Sequence, residues 1–414
     1  MLNILLNSHN LFKNKINNTF IETVKIFCEK LITIKKAYQA IELLKQILKI
    51  SEKMQFNMIN LLELMAKAYE QRIIEMNKTF ATINFCLNAI EIYKNLKNHK
   101  KVEELTCLYE EITKGMKFGG VTIPVDVEPL IQESRAQAEE LKNITESDLF
   151  ILMAFDKLFI PDEKFIINQA EQIKQQGFIM SMLVGNINIF DQRGNLIKTC
   201  SSEDDKFWHE MMKNYRFLMQ FKTFKLNIIL EELIKNEKLK EEIIYKYIEN
   251  DSWISYTFEN SLAKEYNIKY SYKNMVKKLI NEYFKLFMLM LDRKITSIDI
   301  FIFIDSFTLR FEGLIRALFD IQKFPTVKPD YKTGTVMEKD LNGLLRDENI
   351  KYLFDSDEVL FFKFLFIEQE GFNLRNKVAH SLLLEFEYNF DLINLLFIAL
   401  LRVLKISFVK NDEL

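Results

Sequence analysis

Residues 37–50 read AYQAIELLKQILKI, with apolar side chains at Ala37, Ala40, Ile41 and Leu44. Spacings of three, four and seven residues put these on one side of an α-helix, so the stretch predicts an amphipathic helix with one buried face. A similar stretch, ATINFCLNAIEIYKNL over Ala81–Leu96, follows, and a helix over Val102–Lys117 is expected to pair with it. Two loosely similar hairpins suggest a tetratricopeptide-like stack, yet the fixed Trp, Gly and Pro positions of that repeat are missing. An irregular helical bundle fits residues 20–115 equally well.

Composition extends the helical expectation to the whole chain. The sequence has 414 residues with only 10 Gly and 5 Pro, under 4% together, against about 12% in an average protein. All-β folds spend Gly and Pro on turns, so a large sandwich or barrel is excluded. No GxGxxG or GxxxxGK[ST] occurs, which disfavours dinucleotide and P-loop sites. The expected fold class is all-α. The 56 Lys and Arg against 58 Asp and Glu give a net charge of −2. No global field draws in nucleic acid or anionic lipid, so any such partner must meet a local patch. Cys28, Cys86, Cys107 and Cys200 form no CxxC pair, and reduced thiols of a cytoplasmic protein are expected. The start of the chain lacks the basic region and long apolar run of a signal peptide. The apolar stretch 392–409 carries Asn394, Arg402 and Lys405, so it is expected as a buried core helix, with no membrane partner.

Four regions are expected. Residues 1–118 form helical hairpins suited to a protein partner, and 119–145, opening on GGVTIPVDVEP, form a linker and connecting helix. Residues 146–262 form a middle helical region interrupted by the one convincing hairpin (186–199, turning at Gln192-Arg193-Gly194-Asn195). Residues 263–414 form a C-terminal bundle, with helices over Lys273–Arg293, Ser297–Phe324, Glu338–Arg346, Ser356–Glu370, Leu374–Leu384 and Asn389–Ser407. FPTVKPDYKTGT (324–335) is expected as a loop, and Asn227–Asn250 as a charged helical stretch.

The chemistry lies in Gly371-Phe372-Asn373-Leu374-Arg375-Asn376-Lys377-Val378-Ala379-His380. Asn373 is placed to cap a helix starting at Leu374 after Gly371 breaks the preceding one. Leu374, Val378 and Leu382 would form its buried stripe, with Asn376 and His380 sharing the opposite face. Arg375 lies about 140° from His380 around the helix. It therefore reaches the same ligand by its long side chain or across from a second copy. Its place in the first turn, at the positive end of the helix dipole, would suit a phosphate.

Arg375, the polar Asn376 and His380 after four intervening residues resemble the Arg-polar-x₃₋₅-His ribonuclease motif of the HEPN superfamily, whose members are small helical bundles. The string NLRNKVAH is also similar to the Asn-Leu-Arg-Asn-x-x-Ala-His signature of a bacterial family of long helical chains without an assigned function. That family's second stretch, a helix bearing Glu-x-x-x-Arg, resembles residues 305–316 with Glu312 and Arg316. The resemblance covers about residues 265–410. Ser381 departs from it, standing where the family commonly has Gly.

The resemblance implies a HEPN-like C-terminal bundle and an endoribonuclease that works without metal or cofactor. Its homodimer would line one cleft with both motifs and leave 2′,3′-cyclic phosphate ends. Toxins and antiviral effectors are the roles such domains often serve. His380 would serve as general base toward a ribose 2′-OH or as general acid toward the leaving 5′-oxygen. Arg375 would hold the phosphate and Asn376 would orient phosphate or imidazole, with Glu312, Arg316 and Lys377 supporting.

Plainer alternatives stand beside this. His380 would bond a backbone group and Arg375 would pair with Glu368 or Glu370. Glu312 and Arg316, at i and i+4, would be an intrahelical salt bridge unless Glu312 orients Arg375. The basic run Lys273, Lys277, Lys278, Lys285, Arg293 and Lys294 reads as a solvated face before an RNA track. His9, His99 and His209 lack clustered carboxylates, so no metal site is expected. A non-catalytic RNA- or nucleotide-binding module with a helical protein-interaction region is the functional alternative, and a helical scaffold the third.

Overall fold

The computed structural model describes residues 18–53, 56–77, 79, 82–115, 126–176, 187–191, 195–255, 258–259, 269–270, 272–330 and 334–407. The chain is all-α: sixteen α-helices and three two-stranded sheets lie among these residues. They form two compact units.

The first unit contains α1 (Asn18–Thr33), α2 (Ala37–Lys53), α3 (Ile59–Glu75), α4 (Ile83–Asn95) and α5 (His99–Lys114). Each packs mainly on its neighbour in sequence. The α2 stripe of Ala37, Ala40, Ile41, Leu44, Ile47 and Ile50 is buried, as the periodicity of AYQAIELLKQILKI requires. A chain this poor in glycine closes its helices with other residues in the left-handed region: Lys35, Asn77 and Lys97 have φ near +55°. After α4, Lys97 and Asn98 donate backwards to the Lys94 and Tyr93 carbonyls, the closure a glycine usually provides.

The hairpin of β1 (Ile187–Phe190) and β2 (Leu196–Cys200) is present, with residues 192–194 of its expected turn outside the described ones. Asn188–Lys198 belong to the first unit and not to the middle of the second. Phe190 and Leu196 pack on that unit's core, and Leu196 N donates to Tyr109 Oη at 3.2 Å. Two strands alone bury too little to persist, so their place is set by the helices that cover them.

The second unit takes the described residues of 126–187 and 199–407. Its helices are α6 (Glu128–Lys142), α7 (Glu146–Phe155), α8 (Glu163–Gln176), α9 (Glu203–Lys235), α10 (Glu241–Asn250), α11 (Lys273–Leu291), α12 (Ser297–Ile321), α13 (Leu341–Leu345), α14 (Ser356–Phe366), α15 (Leu374–Ala379) and α16 (Phe390–Leu404). The strands β3 (Phe258–Glu259) and β4 (Lys269–Tyr270) pair between α10 and α11. One apolar core runs from Ala138 to Leu404 without a break near residue 262, so both expected regions share it. The α9–α10 stretch, expected as one helical run over Asn227–Asn250, bends between Lys235 and Glu241 with Glu237 at φ +53°.

α16 is the centre of this core, buried from Leu392 to Leu404. Among the described residues no helix is long and apolar enough to cross a membrane. The polar residues of α16 find internal partners. Asn394 accepts from Tyr283 Oη and donates to Asn227 Oδ1, both at 2.9 Å. Arg402 and Glu358, each 0% exposed, meet at 3.0 Å, and Lys405 joins Glu358 at 2.6 Å. Tyr283 stacks on Phe397 with centroids 3.8 Å apart.

The expected loop at 324–335 is instead the start of a hairpin, β5 (Val327–Asp330) paired antiparallel with β6 (Thr335–Glu338) in the register Val327↔Glu338. Gly334, at φ +71°, supplies the left-handed turn position, and its N–H donates to the Asp330 carbonyl at 2.8 Å. The prolines that suggested a loop fit an edge: Pro329 opposes Val336 in a two-strand ribbon exposed on both sides.

Candidate functional site

α15 starts at Leu374 as expected but ends at Ala379, well short of Leu384. Leu374 is fully buried and Val378 packs on the core, whereas Leu382 lies beyond the helix and is exposed. The expected stripe thus loses its third member. Asn373 occupies the N-cap position at φ 51°, and its side chain makes no capping bond. Six residues form fewer than two turns, so the dipole expected to favour phosphate is small.

What places α15 is the turn before it. Gly371 lies against the backbone of Phe364: a Cβ there would stand 2.0 Å from the Phe364 carbonyl oxygen. Phe372 N donates to that carbonyl at 2.9 Å. The preceding helix, expected to run to Glu370, already ends at Phe366, so Gly371 does not break it; glycine is needed here because no residue with a Cβ admits this close approach.

The end of α15 is a Schellman closure. Leu382 N donates to the Lys377 carbonyl at 2.7 Å and Ser381 N to that of Val378 at 3.2 Å. Ser381 has φ +53°, the conformation glycine adopts at least cost. Serine here holds a turn position that glycine would occupy with less strain.

Arg375 and His380 leave this short helix differently. The Arg375 side chain is 32% exposed, and its Nε donates to Glu312 Oε2 on α12 at 3.3 Å. Glu368 and Glu370, the alternative partners, are taken: Arg346 Nη2 meets Glu368 at 2.6 Å, and His209 Nδ1 meets Glu370. The His380 ring is exposed and, among the described residues, has no hydrogen-bond partner. Asn376, one turn earlier, is exposed as well. Lys377 is committed to Glu387 Oε1 at 2.5 Å.

The segment after His380 is tied down. Glu387 Oε2 accepts from Leu384 N at 2.8 Å, and Tyr388 Oη donates to Asp305 Oδ1 at 2.9 Å. Burial, then that hydrogen bond, pushes the Tyr388 phenol up to about 12. Lys377 accordingly acts as an anchor of this strap.

Glu312 and Arg316 do form the i, i+4 pair, at 3.0 Å, and Glu312 serves Arg375 with its other oxygen. Arg316 also donates to Glu338 Oε2 at 2.7 Å and to the Lys339 carbonyl. Glu338, Glu387 and Asp305 are members the sequence did not single out; Glu338 and Asp305 meet their partners 22 and 83 positions away in the chain, and Glu387 meets Lys377 ten positions away. The basic residues of α11 face carboxylates, as a solvated face requires: Lys277 meets Glu249 at 2.6 Å and Lys278 meets Glu282 at 2.8 Å. Among the described residues no cluster of three or more His, Cys, Asp or Glu could hold a metal ion.

Compared with models of protein families, with curated proteins and with solved structures, the chain has no match in any of the three.

Proposed function

We propose that the protein is a HEPN-type endoribonuclease that cleaves RNA without metal, by attack of a ribose 2′-OH on the adjacent phosphate. The observation that carries this is an exposed His380, without a hydrogen-bond partner among the described residues, five positions from an arginine already held by a carboxylate. The imidazole can take the 2′-OH proton or deliver one to the leaving 5′-oxygen. With Nε on Glu312, Arg375 presents its Nη groups to the phosphate and offsets the charge that grows in the transition state. Asn376 stands one turn from His380 to orient the phosphate. Products end in a 2′,3′-cyclic phosphate.

Arg375 stands in the first turn of α15 and His380 at its C-cap, and a homodimer that pairs two copies of α15 completes the cleft. The helical first unit recruits a protein partner, and growth arrest on infection is the biological role of this reading.

The test is incubation of the pure protein with RNA in EDTA, beside His380→Ala. Cleavage by the natural chain alone supports the assignment; equal cleavage by both removes it. RNA affinity that falls with salt, without cleavage by either, selects the binding module instead. Light scattering after size exclusion reports the dimer.

A further inference from the structure

Glu312 uses both carboxylate oxygens: Oε2 accepts from Arg375 Nε at 3.3 Å, and Oε1 accepts from Arg316 Nη2 at 3.0 Å. A charge-assisted hydrogen bond on one oxygen restricts rotation of the carboxylate and so helps to aim the other. Arg316 is gripped in turn by the end of β6, where Nη1 donates to Glu338 Oε2 at 2.7 Å and Nη2 to the Lys339 carbonyl. Lys339 is itself anchored, N to the Thr326 carbonyl at 2.8 Å and Nζ to Asp347 Oδ2 at 2.6 Å. A chain of alternating charge, Glu338–Arg316–Glu312–Arg375, thus joins three separate elements.

We propose that the base of the β5–β6 hairpin is a positioning element for Arg375, acting through Arg316 and Glu312; this rests on the ribonuclease reading above. Glu338 and Arg316 touch no phosphate. Their role follows from what Arg375 lacks. It stands on a six-residue helix and, among the described residues, Glu312 is its one hydrogen-bonding partner. A long side chain so placed loses its aim unless that partner is fixed, and misaim of a charge-stabilising group is felt in the transition state. Glu338 is 56% exposed, so its pair alone holds weakly; Arg316 and Glu312, at 24% and 22%, hold more firmly.

The experiment measures kcat and KM for RNA cleavage by the full chain, with melting temperature for every variant. Arg316→Ala is expected to lower kcat about tenfold with KM little changed, and Arg316→Lys to recover part of the loss. Glu338→Lys, which sets a like charge beside Arg316, is expected to lower kcat about threefold. In an Arg375→Ala background neither substitution should cost anything more, because the path ends at Arg375. Losses that add to that of Arg375→Ala, or a natural kcat in Arg316→Ala, overturn the positioning role and leave the nuclease reading intact. Should Arg316→Ala melt early, Arg316→Gln, which keeps a donor for the Lys339 carbonyl, decides by the same comparison. If Arg375→Ala itself cleaves normally, the nuclease reading falls and the relay with it.

Discussion

Arg375 and Glu312, 63 positions apart in the chain, meet at 3.3 Å between Nε and Oε2. The contact converts a surface arginine into one with a fixed root, because Glu312 belongs to the long, doubly capped helix α12 while Arg375 stands on six residues of helix. His380, at the C-cap of the same short helix, has no such hold among the described residues. An anchored cation and, five positions on, an imidazole without a partner among the described residues are the arrangement on which the functional proposal depends.

His380→Ala is expected to reduce cleavage by about 10²–10⁴-fold, the usual worth of a general acid or base. Because the residue is exposed and has no hydrogen-bond partner among the described residues, stability should change by less than about 0.5 kcal/mol. Urea unfolding measured beside the RNA assay checks both halves. A large loss of stability would give His380 a structural role.

Gly371→Ala places a methyl group against the Phe364 carbonyl, where nothing but backbone can yield. The turn must shift and carry α15 with it. A loss of about 2–4 kcal/mol is expected, together with loss of cleavage. Chemical denaturation reports the first, and unchanged stability would show that the turn has room.

Ser381→Gly acts in the opposite direction. At φ +53° a serine bears the left-handed penalty that glycine escapes, so the variant should gain about 0.5–1 kcal/mol. Its RNA cleavage should match that of the natural chain, since the helix closure is kept.

Glu358→Gln leaves Arg402, fully buried, without its counter-charge, and removes the partner of Lys405. Breaking such a buried pair costs about 3–5 kcal/mol. A shift of the urea midpoint measures it, and a loss under about 1 kcal/mol would mean that Arg402 finds other partners.

Acid should weaken α12 through its cap. Asp299 accepts from the Thr296 hydroxyl and then from the Thr296 backbone N–H, which holds its carboxyl below the usual range. A carboxyl lowered in the folded state stabilises above its unfolded value, about pH 3.9. That contribution disappears as pH falls through the lower, folded value. Asp299→Asn should therefore flatten the stability curve below about pH 4 and lie beneath the natural protein at neutral pH. Stability measured from pH 2 to 7 in both proteins tests this; parallel curves would exclude Asp299.

The helical class, the amphipathic stripe of α2, the burial of α16 and the start of α15 at Leu374 were legible in the sequence. Each depends on periodicity or on the company a polar residue keeps within a few positions, which a linear reading carries. The early end of α15, the β5–β6 hairpin and the unit to which the 187–200 hairpin belongs were not legible. A left-handed turn made by serine, at some cost, in place of glycine leaves no mark. A proline-bearing ribbon looks like a loop until its partner strand is seen, and a two-strand hairpin goes wherever an apolar surface covers it.

By itself the sequence determined that this is an all-α protein with an arginine, an amide and an imidazole within six residues near its end. Only the tertiary structure decided that the arginine is rooted on Glu312, that Glu368 and Glu370 are spent elsewhere and that the imidazole has no partner among the described residues. The physical reason is range. Helical periodicity is fixed by backbone hydrogen bonds four residues apart, whereas a charge chooses its partner by distance in space, set by the packing of helices dozens of residues away.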